Sequence, residues 1–329
     1  MNKIVKFQKH GGPEVLEIHS EPLTKPVGTE VLVRMTALAL NRSNSLFREG
    51  TYLLTATFPS RIGTEGSGII EAIGNQVSNW EVGQKINLLV PLNESDSGYA
   101  AKYNIVEQDR LISLPNGLSD RDAATAWVPF LTLYHFFIEN NWVAKDKWIV
   151  LPAASSSVSL AANSLAQHFG AKTIGITRTS KKLDDLNAAG YNAIIVSEEG
   201  NIAEKIMNIT TDGADYAFDS VAGPNLTELV KGMKMGGEIT VFGALDSRET
   251  PLPIFDMMTR GVQIKVYTLY ELLIDRTRLM AAIDFYTKLF DANSIAPSVD
   301  ENEFSLDQIS DAFDFMESNQ QVGKVVITI

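Results

Sequence analysis

The chain of 329 residues contains no cysteine. That absence removes any disulfide framework and the need for an oxidising compartment. It also removes the four-thiolate structural zinc site and any catalytic zinc with a sulfur ligand. Histidine is scarce too: His10, His19, His135 and His168 are the only four, and no two stand at metal-ligand spacing. All four read as structural side chains. No G-x-S-x-G turn is present, so a serine hydrolase has no support. No apolar run approaches the ~18 residues needed to span a bilayer. Basic residues are outnumbered, 28 against 40 acidic, for a formal charge of −12. Such an anionic surface argues against non-specific nucleic-acid or anionic-lipid binding. The start, Met1-Asn2-Lys3-Ile4-Val5-Lys6-Phe7, alternates like a strand and lacks the apolar centre of a signal peptide. A cytoplasmic location is the expectation.

What is present is ordinary globular composition, 45% hydrophobic and 21% charged, over a length that suits two domains. Residues 1 to about 115 read as short strands, Ile4–Lys9, Val15–Glu21, Glu30–Leu40, Gly68–Gly74, Lys85–Val90 and Tyr99–Val106, separated by turn residues. One short helix, Arg42–Arg48, is stopped by Gly50. The texture changes at Leu114-Pro115-Asn116-Gly117, after which Ser119 is placed to cap a long helical stretch running to Phe137. From Lys147 six strands alternate with helices, a pattern that predicts a doubly wound parallel sheet, α/β in class. Two further helices, Leu272–Leu289 and Leu306–Glu317, precede the closing strand Gly323–Ile329, and Ser305 with Gln308 forms a capping-box pattern. The tail is expected to return to the β-rich part. That gives a discontinuous first domain, residues 1–118 and 268–329, with residues 119–267 inserted as the parallel-sheet domain.

The first strand-to-helix turn of the sheet reads Pro152-Ala153-Ala154-Ser155-Ser156-Ser157-Val158-Ser159. Dinucleotide sites need small residues here so that the backbone can approach a pyrophosphate lying on the helix N-terminus. The spacing is right, but alanine and serine stand where glycines are usual. The same run also suits a serine-capped helix with no nucleotide. About 20 residues on, the second strand ends in Thr177-Arg178-Thr179-Ser180-Lys181-Lys182, with no carboxylate before Asp184. An acid at this place grips the ribose hydroxyls of NAD. Cations and hydroxyls suit a 2′-phosphate instead, with Arg178 able to fork onto phosphate or stack on adenine. NADPH is therefore expected over NADH, the alternative being a capped helix with solvated lysines.

Taken together, several short stretches resemble the medium-chain dehydrogenase/reductase superfamily, in its zinc-independent quinone oxidoreductase and enoyl reductase branch. They are Ala39-Leu40-Asn41-Arg42-Ser43, Arg48-Glu49-Gly50-Thr51-Tyr52, Gly63-Thr64-Glu65-Gly66-Ser67-Gly68, Val82-Gly83-Gln84-Lys85, Thr132-Leu133-Tyr134, Phe169-Gly170-Ala171, Asp219-Ser220-Val221 with Gly223, and Gly323-Lys324-Val325-Val326. The resemblance implies a GroES-like catalytic domain split around a Rossmann domain, and a homodimer or homotetramer. It implies cofactor contacts at Thr132, Ala154, Ser155, Ser156, Ser157, Val158, Thr177, Arg178, Ser180, Lys182, Phe242, Gly243 and Lys324. Where zinc-dependent relatives carry a cysteine, a nearby aspartate and a histidine, this chain has Asn41, Asn44 and Thr64. No metal is expected.

Without a Lewis acid, hydride transfer from a nicotinamide suits acceptors that spread their own charge, a quinone or an α,β-unsaturated carbonyl. Tyr52 is the expected proton donor, a role the resemblance to enoyl thioester reductases implies, with a tyrosine merely packed at a turn as the alternative. Asn41 is expected to orient the nicotinamide ribose or the substrate, or else to cap a core element. Thr132 either meets the nicotinamide or bonds its own helix. Segments Phe242–Leu245 and Tyr267–Tyr270 are expected to border the cofactor. The leading expectation is an NADPH-dependent, zinc-independent reductase of quinones or activated alkenes, acting on a small molecule. A trans-2-enoyl thioester reductase is the alternative within the superfamily. An idle NADPH-binding sensor or structural protein is the alternative from another class.

Overall fold

Alternating apolar side chains make the first strands, and turn residues end them. In a computed structural model describing residues 1–329, the chain opens with β1 (Asn2–Phe7), β2 (Glu17–Glu21), β3 (Glu30–Ala39), α1 (Arg42–Glu49), β4 (Ser60–Arg61), β5 (Glu65–Ile73), β6 (Lys85–Leu88), α2 (Glu94–Ser97), β7 (Tyr103–Glu107) and β8 (Leu111–Ser113). Next come α3 (Asp120–Ala123) and α4 (Trp127–Leu133), then the alternating series β9 (Trp148–Pro152), α5 (Ser157–Phe169), β10 (Lys172–Thr177), α6 (Leu183–Ala188), β11 (Ala193–Val196) and α7 (Ile202–Thr210). The series continues with β12 (Ala214–Asp219), α8 (Asn225–Gly232), β13 (Met233–Val241), α9 (Ile254–Arg260) and β14 (Gln263–Val266). Last are α10 (Tyr270–Leu273), α11 (Arg276–Asp291), β15 (Val299–Ser305), α12 (Ile309–Glu317) and β16 (Lys324–Thr328). No helix is long and apolar enough to cross a membrane.

Two units result, Met1–Val128 with Ala296–Ile329, and Pro129–Ile295. In the first, seven strands form a sheet in the order β15-β16-β3-β5-β6-β8 with β7 also on β3, and a second sheet runs β2-β1-β4. Its core gathers Val5, Phe7, Val31, Val33, Leu38, Phe47, Ile70, Ile86, Phe313 and Ile327, all buried. Each such side chain stabilises by roughly 1.5–3 kcal/mol through burial. Register places the site: Val326 pairs with Ala39, and Ala39 with Glu65. Glu65 itself, and Asn41 and Lys324 two residues beyond Ala39 and Val326, therefore share one end of the sheet.

The second unit holds the six-stranded sheet β11-β10-β9-β12-β13-β14, parallel throughout. Its strand order reverses between β9 and β12, the switch point at which such sheets bind ligands beyond the strand C-termini. Val150, Ile174, Ile206, Ala217, Leu229 and Ile239 pack its core.

Two expected helices are broken, each for a local reason. The stretch from Ser119 to Phe137 becomes α3, α4 and a π-helical turn, Tyr134–Glu139. Pro129 has no N–H to give and is tolerated only in a first turn, so a new helix starts at Trp127. The stretch Leu272–Leu289 splits because the Asp275 carboxylate accepts from the Arg278 amide and caps α11 afresh. Unit boundaries fall at 128/129 and 295/296, where the expected ones were 118/119 and 267/268. Aromatic packing accounts for the second difference: Tyr286 and Phe290 of α11 meet Phe130 edge-on at 5.4 and 5.0 Å, which holds α11 in the second unit.

Candidate functional site

In the first unit, Asn41 ends the extended run of β3 and caps α1 in a capping box, its amide N–H donating to Asn44 Oδ1 at 2.9 Å. Its side chain faces inward and is buried. The Nδ2 of Asn41 donates to Thr64 Oγ1 at 3.0 Å and to Glu65 Oε1 at 3.1 Å. Asn44 Nδ2 donates to Thr64 Oγ1 at 3.2 Å and to Glu94 Oε1 at 2.8 Å. The Lys324 ammonium, 3% exposed, lies 2.5 Å from both Asn41 Oδ1 and Glu65 Oε1. Glu65 Oε2 accepts the Val128 amide at 3.0 Å. Lys324, expected among the cofactor contacts, is thus committed to a buried carboxylate and an amide. The three positions compared with zinc ligands are knit to one another by hydrogen bonds, with a cation already among them.

Tyr52 lies in the bend after α1. Gly50 makes that bend possible: its φ of 79° is left-handed, and a Cβ there would stand 2.9 Å from the His10 ring. Tyr52 is half-buried, and its phenol hydrogen-bonds Ser43 on the first turn of α1. Burial first, then the charge of Glu94, raises its pKa above the usual phenol value, with the Ser43 bond opposing. The phenol therefore stays protonated at neutral pH and remains a donor.

In the second unit the expected nucleotide turn follows β9. Ala153 takes a φ of 48°, the left-handed conformation glycine usually supplies. Of the serines, Ser156 caps α5, its Oγ accepting the Ser159 amide, and Ser159 Oγ donates to Pro152 O at 2.8 Å. Ser155 Oγ accepts from Lys182 Nζ at 3.0 Å. Ser157 and Val158 open α5 and belong to its first turn, whose N–H groups have no intrahelical partner. Buried Ala154 packs closely: a Cβ on Gly175 would stand 2.9 Å from its own.

At the end of β10, Thr177 is buried and donates to Thr179 O at 3.3 Å. Thr179, not Ser180, caps the short turn that follows. Ser180 is exposed, and the Arg178 side chain is 70% exposed, with its Nε 3.9 Å from Glu198 Oε1. Beyond β13, Phe242 stacks on Phe218 at 4.2 Å, and Gly243 lies so close to the Ser220 carbonyl that a Cβ would meet it at 2.9 Å. Thr132 is buried on α4.

The parallel sheet thus brings Ala154–Val158, Thr177–Lys182 and Phe242–Gly243 to the C-terminal ends of β9, β10 and β13. The first unit brings together Asn41, Tyr52 and Lys324 with Ser43, Asn44, Thr64, Glu65 and Glu94. Sequence reading missed Glu94 and Asp219 as site groups. Buried Asp219 accepts the Val221 and Ala222 amides at 2.8 and 3.1 Å, fixing the turn after β12, and burial lifts its pKa to about 6. The Asp219-Ser220-Val221 run marked it; Glu94 carried no signal.

Two family profiles match the chain: an alcohol dehydrogenase GroES-like domain over residues 28–116, and a zinc-binding dehydrogenase domain over residues 157–288. The quinone oxidoreductase of Sus scrofa is 26% identical over 282 residues, covering 84% of this chain and 83% of that protein. A phenolphthiocerol/phthiocerol polyketide synthase protein of Mycobacterium tuberculosis is 26% identical over 327 residues, 99% of this chain and 15% of that much longer one. The solved structure of Escherichia coli quinone oxidoreductase complexed with NADPH is 23% identical and superimposes with a TM-score of 0.89, over 99% of this chain and 100% of that one. The fold is accordingly a GroES-like unit with a Rossmann-type six-stranded sheet.

Proposed function

This chain belongs to the medium-chain dehydrogenase/reductase superfamily, in its quinone oxidoreductase branch, and on that premise we propose that it is an NADPH-dependent oxidoreductase. It passes hydride to a quinone or an α,β-unsaturated carbonyl, without zinc. One observation carries the reading: the Asn41–Asn44–Thr64 set is amide and hydroxyl, mutually bonded, with the Lys324 ammonium 2.5 Å from Asn41 Oδ1. Zinc takes thiolate, imidazole or carboxylate, and a buried ammonium repels it. These groups do not fit the ion that the second profile names.

The nucleotide fits better. The first-turn amides Ser157 and Val158 supply donors for a pyrophosphate at a helix N-terminus. Lys182, tethered to Ser155, links the phosphate turn to the end of β10 and adds a fixed positive charge. With Arg178 and Ser180 it suits a 2′-phosphate, in the absence of any carboxylate from Thr177 to Lys182. Thr177, Thr132, Phe242 and Gly243 complete the expected lining. NADPH, when bound, supplies the hydride. Tyr52 then donates: to the oxygen on which charge collects, or as a proton to the α-carbon of an alkene. Asn41, locked by Lys324 and Glu65, holds its amide in one orientation beside that chemistry.

The decisive experiment pairs NADPH with NADH against quinones, enals and enoyl thioesters, with and without a strong chelator. Chelator-insensitive oxidation of NADPH by a quinone or enal is the expected result. Loss of turnover on chelation would overturn the zinc-free reading, and tight NADPH binding with no turnover would leave an idle binder. Preference for enoyl thioesters would establish the second reading. A homodimer is part of the proposal. Edge strand β14, paired with β13 alone, presents Val266 at 76% exposure, and α9 adds Phe255 at 85% and Met258 at 74%. Sedimentation should give a dimer that Val266→Lys weakens; a monomer at micromolar concentration removes this part.

A further inference from the structure

Lys265, on edge strand β14, is exposed, and its ammonium is bonded not to a carboxylate but to an imidazole: Nζ lies 3.1 Å from His135 Nε2. The Phe136 ring seats the same ammonium, 5.1 Å from the ring centroid. On the other side of the imidazole, His135 Nδ1 lies 2.8 Å from Glu139 Oε2. These neighbours fix the tautomer. A carboxylate only accepts, so Nδ1 carries the ring proton; an ammonium only donates, so Nε2 turns a lone pair toward Lys265. Arg278 of α11 forks onto Glu139, Nε to Oε1 at 2.9 Å and Nη2 to Oε2. Its Nη2 also stands 3.0 Å from His135 Nδ1; two donors cannot bond each other, so both turn on Oε2. The Arg278 bond holds Glu139 below the usual carboxylate range against its partial burial, and it is an anion at neutral pH. Tyr267 stacks on the imidazole at 6.1 Å and limits its rotation. Val266, placed above in the dimer edge, points to the opposite face from Lys265, because side chains alternate along a strand.

We propose that Glu139, His135 and Lys265 form a relay that makes Lys265 an acyl acceptor, modified on its own amine by small acyl thioesters. The order is carboxylate, imidazole, nucleophile: a base within hydrogen-bond reach of the attacking group and held in place by a third side chain. An exposed lysine without such a base attacks only through the small neutral fraction that an ordinary ammonium leaves near pH 7. Here His135 Nε2 takes one proton from the Lys265 ammonium, and the positive imidazole is stabilised by Glu139 across the ring. The freed lone pair on Nζ attacks the thioester carbonyl carbon. The Nζ–C bond forms, the C–S bond breaks, and Nζ gives its next proton to the departing sulfur, which leaves as a thiol. His135 returns the first proton to water. Nothing is oxidised or reduced. The amide product keeps one N–H for Nε2 but has lost the lysine charge. This site lies outside the hydride-transfer reading and does not depend on it.

The test is a time course of the intact protein with S-acetyl-N-acetylcysteamine at pH 7.5 (a value of about neutral pH, where the general base is active), read lysine by lysine in peptide mass spectra. Lys9 and Lys25, both exposed, serve as internal references. Lys265 should be acetylated about a hundredfold faster than either, the lower end of general-base effects. Lys265 reacting no faster than Lys9 and Lys25 overturns the proposal, and this comparison needs no variant. His135→Gln, which cannot take the proton, should bring Lys265 down to the reference rate while Lys9 and Lys25 keep theirs. Glu139→Gln, which leaves the imidazole but removes the charge that steadies it, should slow Lys265 by a smaller factor. Melting temperature reports that each variant is folded. An unchanged Lys265 rate in folded His135→Gln also overturns the proposal, since mere exposure of the lysine would then explain its reactivity.

Discussion

Glu94, buried with its Oε1 accepting from Asn44 Nδ2 and the Gly63 amide, makes a prediction about stability through Glu94→Gln. In the folded protein Glu94 is lifted to about 7, from an ordinary value of 4.5. A group whose folded pKa is raised contributes its full stability below the unfolded value, and that stability is lost as pH rises through the folded value. The window is therefore about 4.5 to 7. At about 1.36 kcal/mol per pKa unit, going from pH 5 to pH 8 costs the native protein roughly 2–3 kcal/mol through this one carboxyl. Glutamine cannot ionise, so Glu94→Gln should escape that loss. Tyr52 does not titrate in the window, and the contribution of Asp219, also raised, is shared by both proteins and cancels in the difference. The assay is urea denaturation of both proteins at the two pH values, followed by tryptophan fluorescence. The variant should gain about 2 kcal/mol or more relative to the parent between pH 5 and pH 8. Parallel pH dependences would refute the claim that burial, unrelieved by any cation, governs this carboxyl.

Lys182→Ala should weaken NADPH by about 1.5–3 kcal/mol, the range for a hydrogen bond to a charged group, and leave NADH nearly unchanged in fluorescence titration. Arg178→Ala should cost less and lose its effect in salt, because that side chain is 70% exposed. Tyr52→Phe should reduce alkene turnover about 10²- to 10⁴-fold at unchanged NADPH affinity, measured by steady-state kinetics and titration. Lys324→Met strands the buried Glu65 carboxylate and should destabilise by about 3–5 kcal/mol, with part recovered in the Lys324→Met, Glu65→Gln double variant; urea midpoints decide this.

What could be read in advance follows from what is local. The six-stranded sheet was legible because each strand and helix of the series carries its own apolar period and its own caps, as at Ser156 before α5 and Gly170 after it. Pro129 and Asp275 each carried a local signal for a break, and apolar periodicity ran over both. The serine turn was legible in position but not in division of labour. Only the folded geometry sends the Ser159 hydroxyl to Pro152 O and leaves Ser155 to Lys182. The Lys324–Glu65–Asn41 contact was not legible at all, since it depends on long-range pairing of β16, β3 and β5, which no local pattern encodes. Glu94 in Asn93-Glu94-Ser95-Asp96-Ser97 has the composition of a solvated loop; it is buried because the chain folds back over Gly63.

The pairing of β16 with β3 ties the two ends of the chain into one sheet, so that Pro129–Ile295 forms a closed loop on that frame. Closure entropy grows only logarithmically, about 0.6 kcal/mol for each doubling of length. Trimming or enlarging the looped part thus barely changes the thermodynamics of closing it. The kinetic side differs: contacts so distant along the chain form late. Assembly of the lysine–carboxylate pair beneath Asn41 should therefore be a slow, final event in refolding, after the parallel sheet has its own cooperative order.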